Sequence, residues 1–433
     1  MTKTRKVNIV TMGCSKNTVD SEKLSAILSS QSWEVSFDSE KSGHDAVIIN
    51  TCGFINDAKR ESIDMILKYA EKKKRGNIGT LFVMGCLSGR YGSELSSEIP
   101  EADGCFGVCD WKSLTDALGA EHPETREGGR IVSTPSHYAY LKISEGCDRT
   151  CSFCAIPKIR GRHVSTPADD LLREARMLSE KGVKELILIA QDLTYYGIDI
   201  YGKPVLADLL EKLSGTEGIE WIRLHYAFPA HFPDNVLKVM RDKPNICRYI
   251  DIPLQHCSDN VLEKMRRGHG KRKTAELIEH IRRSVPGVAI RTTLLVGHPG
   301  ESEEDFSELK QFVRDMKFER LGVFNYSHEE DTWSWNNYTD SVPEELKNRR
   351  ASEIMAIQQE ISEKQNAERV GKVYQVLIDR EEEECFIGRT EFDSPEVDNE
   401  VIIKKPGEIT PGSFYNVRID SAGEFDLYGS IAE

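Results

Sequence analysis

Residues Tyr138 to Cys154 read YAYLKISEGCDRTCSFC. The first six have the apolar, aromatic-rich character of a buried strand, and the chain then enters a loop in which Cys147, Cys151 and Cys154 stand as C-x3-C-x2-C. Three thiolates in one short loop can hold three irons of a [4Fe-4S] cube and leave the fourth iron open to an outside ligand. A structural zinc site is the alternative. It ordinarily takes a fourth Cys or His at short spacing, and the first such residue is His163, nine positions beyond Cys154.

Outward from this loop, ELILIA, WIRLHY, YIDIPL, AIRTTLLV and RLGVFNY follow as further strands, separated by helical periods such as 167–181, 204–213, 275–284 and 303–316. Six such units across 136–368 predict an open (β/α) barrel, a layout that gathers ligands at the C-terminal ends of its strands. Residues 1–135 alternate in the same manner and predict an N-terminal parallel α/β domain. Its last part, 114–134, reads as a helix running into a linker through Pro123, Gly128 and Gly129. Residues 369–433 break into VYQVLID, CFIGRT, NEVIIKK, SFYNVRID and DLYGSI, which predicts a small antiparallel β-barrel of about five strands. The expected fold class is therefore α/β multidomain.

The N-terminal region carries its own cysteines. Cys14 follows VNIVTMG, Cys52 follows AVIINT and Cys86 follows TLFVMG, so each stands directly after a predicted parallel strand. Singly, each reads as a small buried residue. Strand ends on one sheet edge converge in space, however, and together the trio predicts a second three-thiolate site and a second [4Fe-4S] cluster. Cys105 and Cys109 repeat the x3 spacing in CFGVC without a third ligand and are expected to lie outside this pattern as structural residues, as are Cys247, Cys257 and Cys385.

Composition bounds the function. The 433 residues can bury sizeable cores without staples. Eleven cysteines in so long a chain suit metal ligation or catalysis in a reducing compartment better than a disulfide scaffold. No apolar run approaches the roughly 20 residues needed to cross a bilayer, and the N-terminus lacks a secretory pattern, so the cytoplasm is expected and no membrane partner. With 57 bases against 71 acids the net charge is -14, which disfavours a protein that grips nucleic acid mainly through its phosphates. That charge divides unevenly: 17 bases face 19 acids over 1–135, 33 face 37 over 136–368, and 7 face 15 over 369–433.

The C-x3-C-x2-C loop after the first barrel strand resembles that of radical S-adenosylmethionine enzymes. Together with GCSKNTVDSE, NTCGFI, MGCL, AIPKIRGR, ELILIAQDLTYYG, DIPLQHCSDNVLEKMRRGH, RTTLLVGHPGE and GRTEFDSPEVDNEV, the chain is similar over essentially its whole length to the methylthiotransferase family. The resemblance implies S-adenosylmethionine at the open iron of the core cluster, where an injected electron cleaves it to a 5'-deoxyadenosyl radical. It implies a second S-adenosylmethionine that methylates sulfur at the N-terminal cluster, and a substrate-recognising C-terminal barrel, the TRAM domain. On this basis Cys147, Cys151 and Cys154 are catalytic and metal-binding, and Cys14, Cys52 and Cys86 are metal-binding.

The same resemblance implies cofactor contacts. Phe153 would pack near the adenine, Glu185 near the methionyl amine, Arg223 and Gln255 at the barrel mouth, and Gly297 and Pro299, with Gly300, in a turn open to the adenosyl group. Asn17 and Asn50 lie beside the N-terminal ligands, and Lys142 and Arg160 beside the core motif, where a base can offset cluster charge. Each of these also reads as an ordinary turn residue or satisfied barrel polar group. Family members divide between modification of a transfer-RNA adenosine and of the β-carbon of one aspartate in ribosomal protein S12. The tail word with Asp393, Ser394, Pro395, Glu396, Val397 and Asp398 resembles the S12 branch, and an acidic C-terminal barrel suits a basic protein better than RNA. The expected partners are S12, free or within the small ribosomal subunit, a low-potential electron donor and a sulfur source, with the enzyme a monomer. The alternatives are transfer-RNA methylthiolation and, remotely, a non-catalytic iron-sulfur carrier.

Overall fold

Continuous apolar runs flanked by helical periods become parallel strands covered on both faces. In the N-terminal region these are β1 (Arg5–Thr11), β2 (Trp33–Phe37), β3 (His44–Thr51), β4 (Ile78–Gly85) and β5 (Gly104–Phe106), all parallel in the order β2-β1-β3-β4-β5. Strand alternation sorts the core into two layers. Val7, Ile9, Ile48 and Phe82 pack against Leu24, Leu28, Trp111 and Leu114, while Val10, Val47, Ile49, Leu81 and Val83 pack against Ile66, Tyr69 and Leu95. The computed structural model describes residues 4–120, 129–405, 407 and 409–432, so Pro123 and Gly128 of the expected linker lie outside the described residues.

The chain divides into two units. The first comprises Met1–Thr134, Glu145–Asp148 and Ala155–His163, and the second Pro135–Ser144, Arg149–Cys154 and Val164–Glu433. The first unit thus takes in two short segments from the stretch 136–368.

The second unit holds six parallel strands in sequential order: β6 (Tyr138–Lys142), β7 (Glu185–Ile189), β8 (Trp221–Leu224), β9 (Ile246–Asp251), β10 (Ala289–Val296) and β11 (Arg320–Asn325). Amphipathic helices return the chain between them. Helix Glu303–Met316 begins with a capping box in which Ser302 and Asp305 satisfy each other's backbone N–H groups. Helix Glu344–Ala367 runs along β11, and Asn366 Nδ2 near its end donates to the carbonyls of Gly423, Glu424 and Phe425.

The C-terminal strands β12 (Val373–Glu381), β13 (Cys385–Thr390), β14 (Val401–Lys404), β15 (Phe414–Ala422) and β16 (Leu427–Ile431) close a five-stranded barrel. Its pairings are antiparallel except β14 with β16, which is parallel. Val376, Ile378, Val401, Ile403, Val417 and Ile419 fill it. The segment Glu391–Glu400 leaves this barrel and enters the six-stranded sheet from the end where its strands begin. Tyr138 and Tyr140 hydroxyls donate to Glu396 at 3.2 and 3.5 Å, Tyr249 donates to Asp398 at 2.7 Å, and Ser394 Oγ pairs with His225 Nε2 at 2.8 Å. Arg291 and Arg320 reach Asp398 and Asp393 respectively.

Candidate metal centres

In the first unit Cys14, Cys52 and Cys86 follow β1, β3 and β4 on the C-terminal edge of one parallel sheet. Cys14 caps helix Ser15–Ser30 and Cys86 opens helix Cys86–Glu98, so both stand where unpaired backbone N–H groups favour negative charge. Ser62 Oγ holds Cys52 by accepting from its N–H and donating to its carbonyl, both at 3.0 Å. Two glycines let the strand ends close in. A Cβ on Gly13 would lie 3.1 Å from Cys52 Sγ, and one on Gly53 would lie 2.7 Å from the backbone of Leu87 and 2.8 Å from that of Cys86. Burial pushes the Cys86 thiol up to about 12 and moves Cys52 in the same direction. The bare Cys52 and Cys86 thiols stay protonated and become thiolates when a metal cation neutralises them. An all-thiol donor set of this kind fits an iron-sulfur cluster and excludes a hard oxygen-seeking cation. Cys109, expected outside the strand-end pattern, follows β5 on this same edge, with Sγ 3.7 Å from Asp20 Oδ1.

The loop after β6 carries Cys147, Cys151 and Cys154. In the second unit Arg267 Nη1 lies 3.3 Å from Cys151 Sγ, and its Nη2 donates to Pro253 O at 2.5 Å. Arg149, between the first two cysteines, donates to Asp192 Oδ2 at 2.8 Å and lies over Phe228, with Arg267 also against that ring. Asp192 is itself fixed by the Thr194 N–H and hydroxyl. The Ser152 N–H donates to Met265 O, the Ser152 carbonyl accepts from Ser334, and Phe153 packs with Val261, Met265, Leu295 and Tyr326. Sequence reasoning missed Arg149 and Arg267. The signal available for them was the bases of CDRTC and MRRGH on either side of barrel-strand words.

Two cofactor expectations are overturned. Glu185 is the first residue of β7, at the opposite end of that strand from the mouth, and is fully buried between two cations. Arg223 Nε donates to its Oε1 at 2.7 Å and Arg389 Nη1 lies 2.5 Å from its Oε2. Arg223 turns the same way, its Nη1 donating to Glu391 O at 2.7 Å. Both residues face the C-terminal barrel because their charges are satisfied there. Arg389 also pairs with Asp379 at 2.9 Å, and Asp379 with His137 at 2.8 Å. Although burial acts to raise Asp379, Arg389 and His137 hold its carboxyl below the usual range.

Gln255 sits beyond the C-terminal end of β9 in a left-handed backbone (φ 73°), its N–H donating to Thr293 O and its carbonyl accepting from Leu295. Gly297 follows β10, with φ 80°. Its N–H and that of His298 are taken by Glu301, and a Cβ at 297 would run into the side chain of Lys347, so the glycine makes room for that lysine. The Pro299 carbonyl faces His298 Nδ1 at 3.1 Å. His298 is buried, and burial lowers its ring to about 4. Among the described residues no helix is long and apolar enough to cross a membrane.

Three known families match in succession: an uncharacterized protein family, UPF0004, over residues 6–107, the Radical SAM superfamily over 141–313, and the TRAM domain over 370–432. The ribosomal protein uS12 methylthiotransferase RimO of Bacteroides fragilis is 55% identical over 430 residues, covering 99% of this chain and 100% of that protein. RimO of Flavobacterium johnsoniae is 54% identical over 432 residues, covering 99% of each. In fold, the chain is similar to the radical S-adenosylmethionine methyltransferase TsrM from Kitasatospora setae, with a TM-score of 0.54 at 14% identity over 75% of each chain. Family membership implies a [4Fe-4S] cluster and S-adenosylmethionine. Full-length identity at this level, joined to the three domains in order, makes the chain a member of the RimO family of radical S-adenosylmethionine methylthiotransferases that act on ribosomal protein uS12.

Proposed function

We propose that Cys147, Cys151 and Cys154 hold the cluster that binds S-adenosylmethionine, that Cys14, Cys52 and Cys86 hold a second [4Fe-4S] cluster, and that the two together place a methylthio group on the β-carbon of one aspartate of uS12. When bound, the first cluster supplies the electron that cleaves S-adenosylmethionine to the hydrogen-abstracting radical, and the second supplies an iron for the sulfur to be delivered. A side-chain methylene is too weakly acidic for a protein base to activate, which is why the reaction needs a radical.

The observation that carries the second cluster is the placement of three cysteines on adjacent parallel strand ends, with Gly13 and Gly53 clearing the space between them. In the core loop Arg267 sets a fixed cation against Cys151, and the Arg149–Asp192 pair ties the loop to the end of β7. Phe153, in its apolar cluster, holds the loop down, and Gln255 and the 297–300 turn form the rim at the ends of β9 and β10. A low-potential electron donor and a sulfur source complete the reaction, and the cytoplasm, where uS12 is made, is the site of action.

The test is anaerobic reconstitution with S-adenosylmethionine, sulfide and reductant, with uS12, the intact small subunit and transfer RNA offered separately. A methylthio mass gain on an aspartate of uS12 is expected, and a gain on RNA alone would overturn the substrate. Replacing Cys14, Cys52 and Cys86 by Ala is expected to abolish methylthiolation while 5'-deoxyadenosine still forms. Replacing Cys147, Cys151 and Cys154 is expected to abolish both.

A further inference from the structure

Helix Ile156–Arg160 belongs to the first unit, where Ala155 and Ile159 pack with Cys86 and Val108. That packing seats Arg160 with its side chain only 1% exposed. Its guanidinium is fully engaged: Nη2 donates to Asn17 Oδ1 at 2.6 Å, and Nη1 donates to Glu145 Oε1 at 2.9 Å and Asp20 Oδ2 at 3.2 Å. The sequence suggested that this base would serve the core motif beside it. In the fold it faces the N-terminal cysteines instead.

Asn17 carries the contact onward. Its Nδ2 donates to the carbonyls of Met12 at 2.8 Å and Thr51 at 3.1 Å, on the strand ends that lead into Cys14 and Cys52, and its Oδ1 lies 3.9 Å from Cys86 Sγ. One carboxamide thus touches the support of all three cysteines, and the guanidinium fixes which way it points. Asp20, Cys109 and Glu145 have the spacing of a small ion site, with one ligand atom of each within 4.8 Å of the others, but Arg160 already balances both carboxylates. With the carboxylates of Asp20 and Glu145 against it, the Arg160 guanidinium is a permanent cation.

We propose that Arg160 is the positioning residue of the Cys14, Cys52 and Cys86 site, locking Asn17 across the three strand ends and raising the reduction potential of the cluster they hold. The proposal rests on the reading that this trio binds a cluster. Physically, a cluster on three thiolates gains a further negative charge when reduced, and a fixed buried cation favours that state. Removing the cation also leaves Asp20 and Glu145 unbalanced beside it, which pushes the same way.

The experiment uses the full chain with Cys147, Cys151 and Cys154 replaced by Ala, so that any remaining iron reports the N-terminal site. About four irons per chain are expected. Absence of iron from this parent would defeat the second-cluster reading and with it the proposal. In R160M, an EPR-monitored redox titration is expected to show a tenfold lower ratio of reduced to oxidised cluster at fixed potential, about 59 mV for one electron. R160K, which keeps the charge, is expected to recover most of it. Full iron with an unchanged midpoint in R160M would overturn the proposal. If both variants lose iron, melting of the apoproteins decides: unchanged melting supports a positioning role, whereas a parallel loss makes Arg160 an ordinary folding residue and overturns it.

Discussion

Arg389→Met tests how the C-terminal barrel is held to the six-stranded sheet. Glu185 and Arg223 are fully buried, and Arg389 is 2% exposed. Arg389 stands 2.5 Å from Glu185 and 2.9 Å from Asp379, so its removal leaves Glu185 with Arg223 alone and Asp379 with only His137. Two unit charges about 4 Å apart interact by about 4 kcal/mol at an effective dielectric of about 20. Breaking a buried pair from one side typically costs about 3–5 kcal/mol, because the partner stays desolvated and uncompensated. At about 1.4 kcal/mol per factor of ten, the inserted segment opens roughly a hundred- to a few-thousand-fold more often. Hydrogen exchange reads this at the amides of Asp393, Ser394 and Asp398, which donate to Thr390 O, the Asp398 carboxylate and Ser394 O respectively. Amides of β1, in the other unit, serve as the control. Adding Asp379→Asn to Arg389→Met is expected to restore much of the protection, since it removes the acid left without an arginine while Glu185 keeps Arg223. Exchange within threefold of wild type in the single variant, or no recovery in the double, would refute the reasoning.

Further outcomes follow from the same geometry. Gly53→Ala puts a methyl group 2.7 Å from the Leu87 backbone and is expected to part β3 from the Cys86 turn; iron should fall to about half of wild type, and a full complement would count against the glycine cradle. Arg267→Met removes the cation beside Cys151 and is expected to slow 5'-deoxyadenosine formation about tenfold with iron retained, measured by chromatography under dithionite. Asp379 is held below its ordinary value of 3.8, so the stability it contributes is present above that pH and is lost as pH falls through its folded value. Protection of the inserted segment, corrected for intrinsic exchange rates, should therefore weaken below about pH 4, and Asp379→Asn should reduce that acid dependence, leaving the part carried by Asp393, which Arg320 and Arg369 likewise hold below its ordinary value against the effect of burial.

The placement of the cysteines was legible because their neighbours leave little choice: VNIV, AVII and TLFV are runs only a two-sided parallel sheet buries, and C-x3-C-x2-C sets three thiols in one loop after a strand. Edge strands were not. In WEVSF only Trp33 is buried, and Gly104–Phe106 is three residues long, so neither shows a strong period. The error at Glu185 and Arg223 has a different origin. Alternation reveals that a polar side chain points inside a barrel, but not toward which end, and the deciding partner, Arg389, lies far along the chain. The word EFDSPEVDNEV, read as a marker of substrate choice, has partners within its own chain: Asp393, Glu396 and Asp398 bond to residues of the sheet, and Ser394 to His225 just beyond β8.

Strand β7 is a measuring rod. At its first residue Glu185 meets the C-terminal barrel through Arg389, and just past its last residue Asp192 meets the cysteine loop through Arg149. Its five residues span roughly 17 Å. A protein substrate that grips the outer barrel and also presents a side chain to the loop must bridge at least that gap, so the second contact is made at an effective concentration set by the substrate's own stiffness. Grip and chemistry are thereby separable. Charge reversal on the barrel's outer face should raise KM for whole uS12, leave a short peptide around the target aspartate unaffected, and not alter cleavage of S-adenosylmethionine in the absence of either.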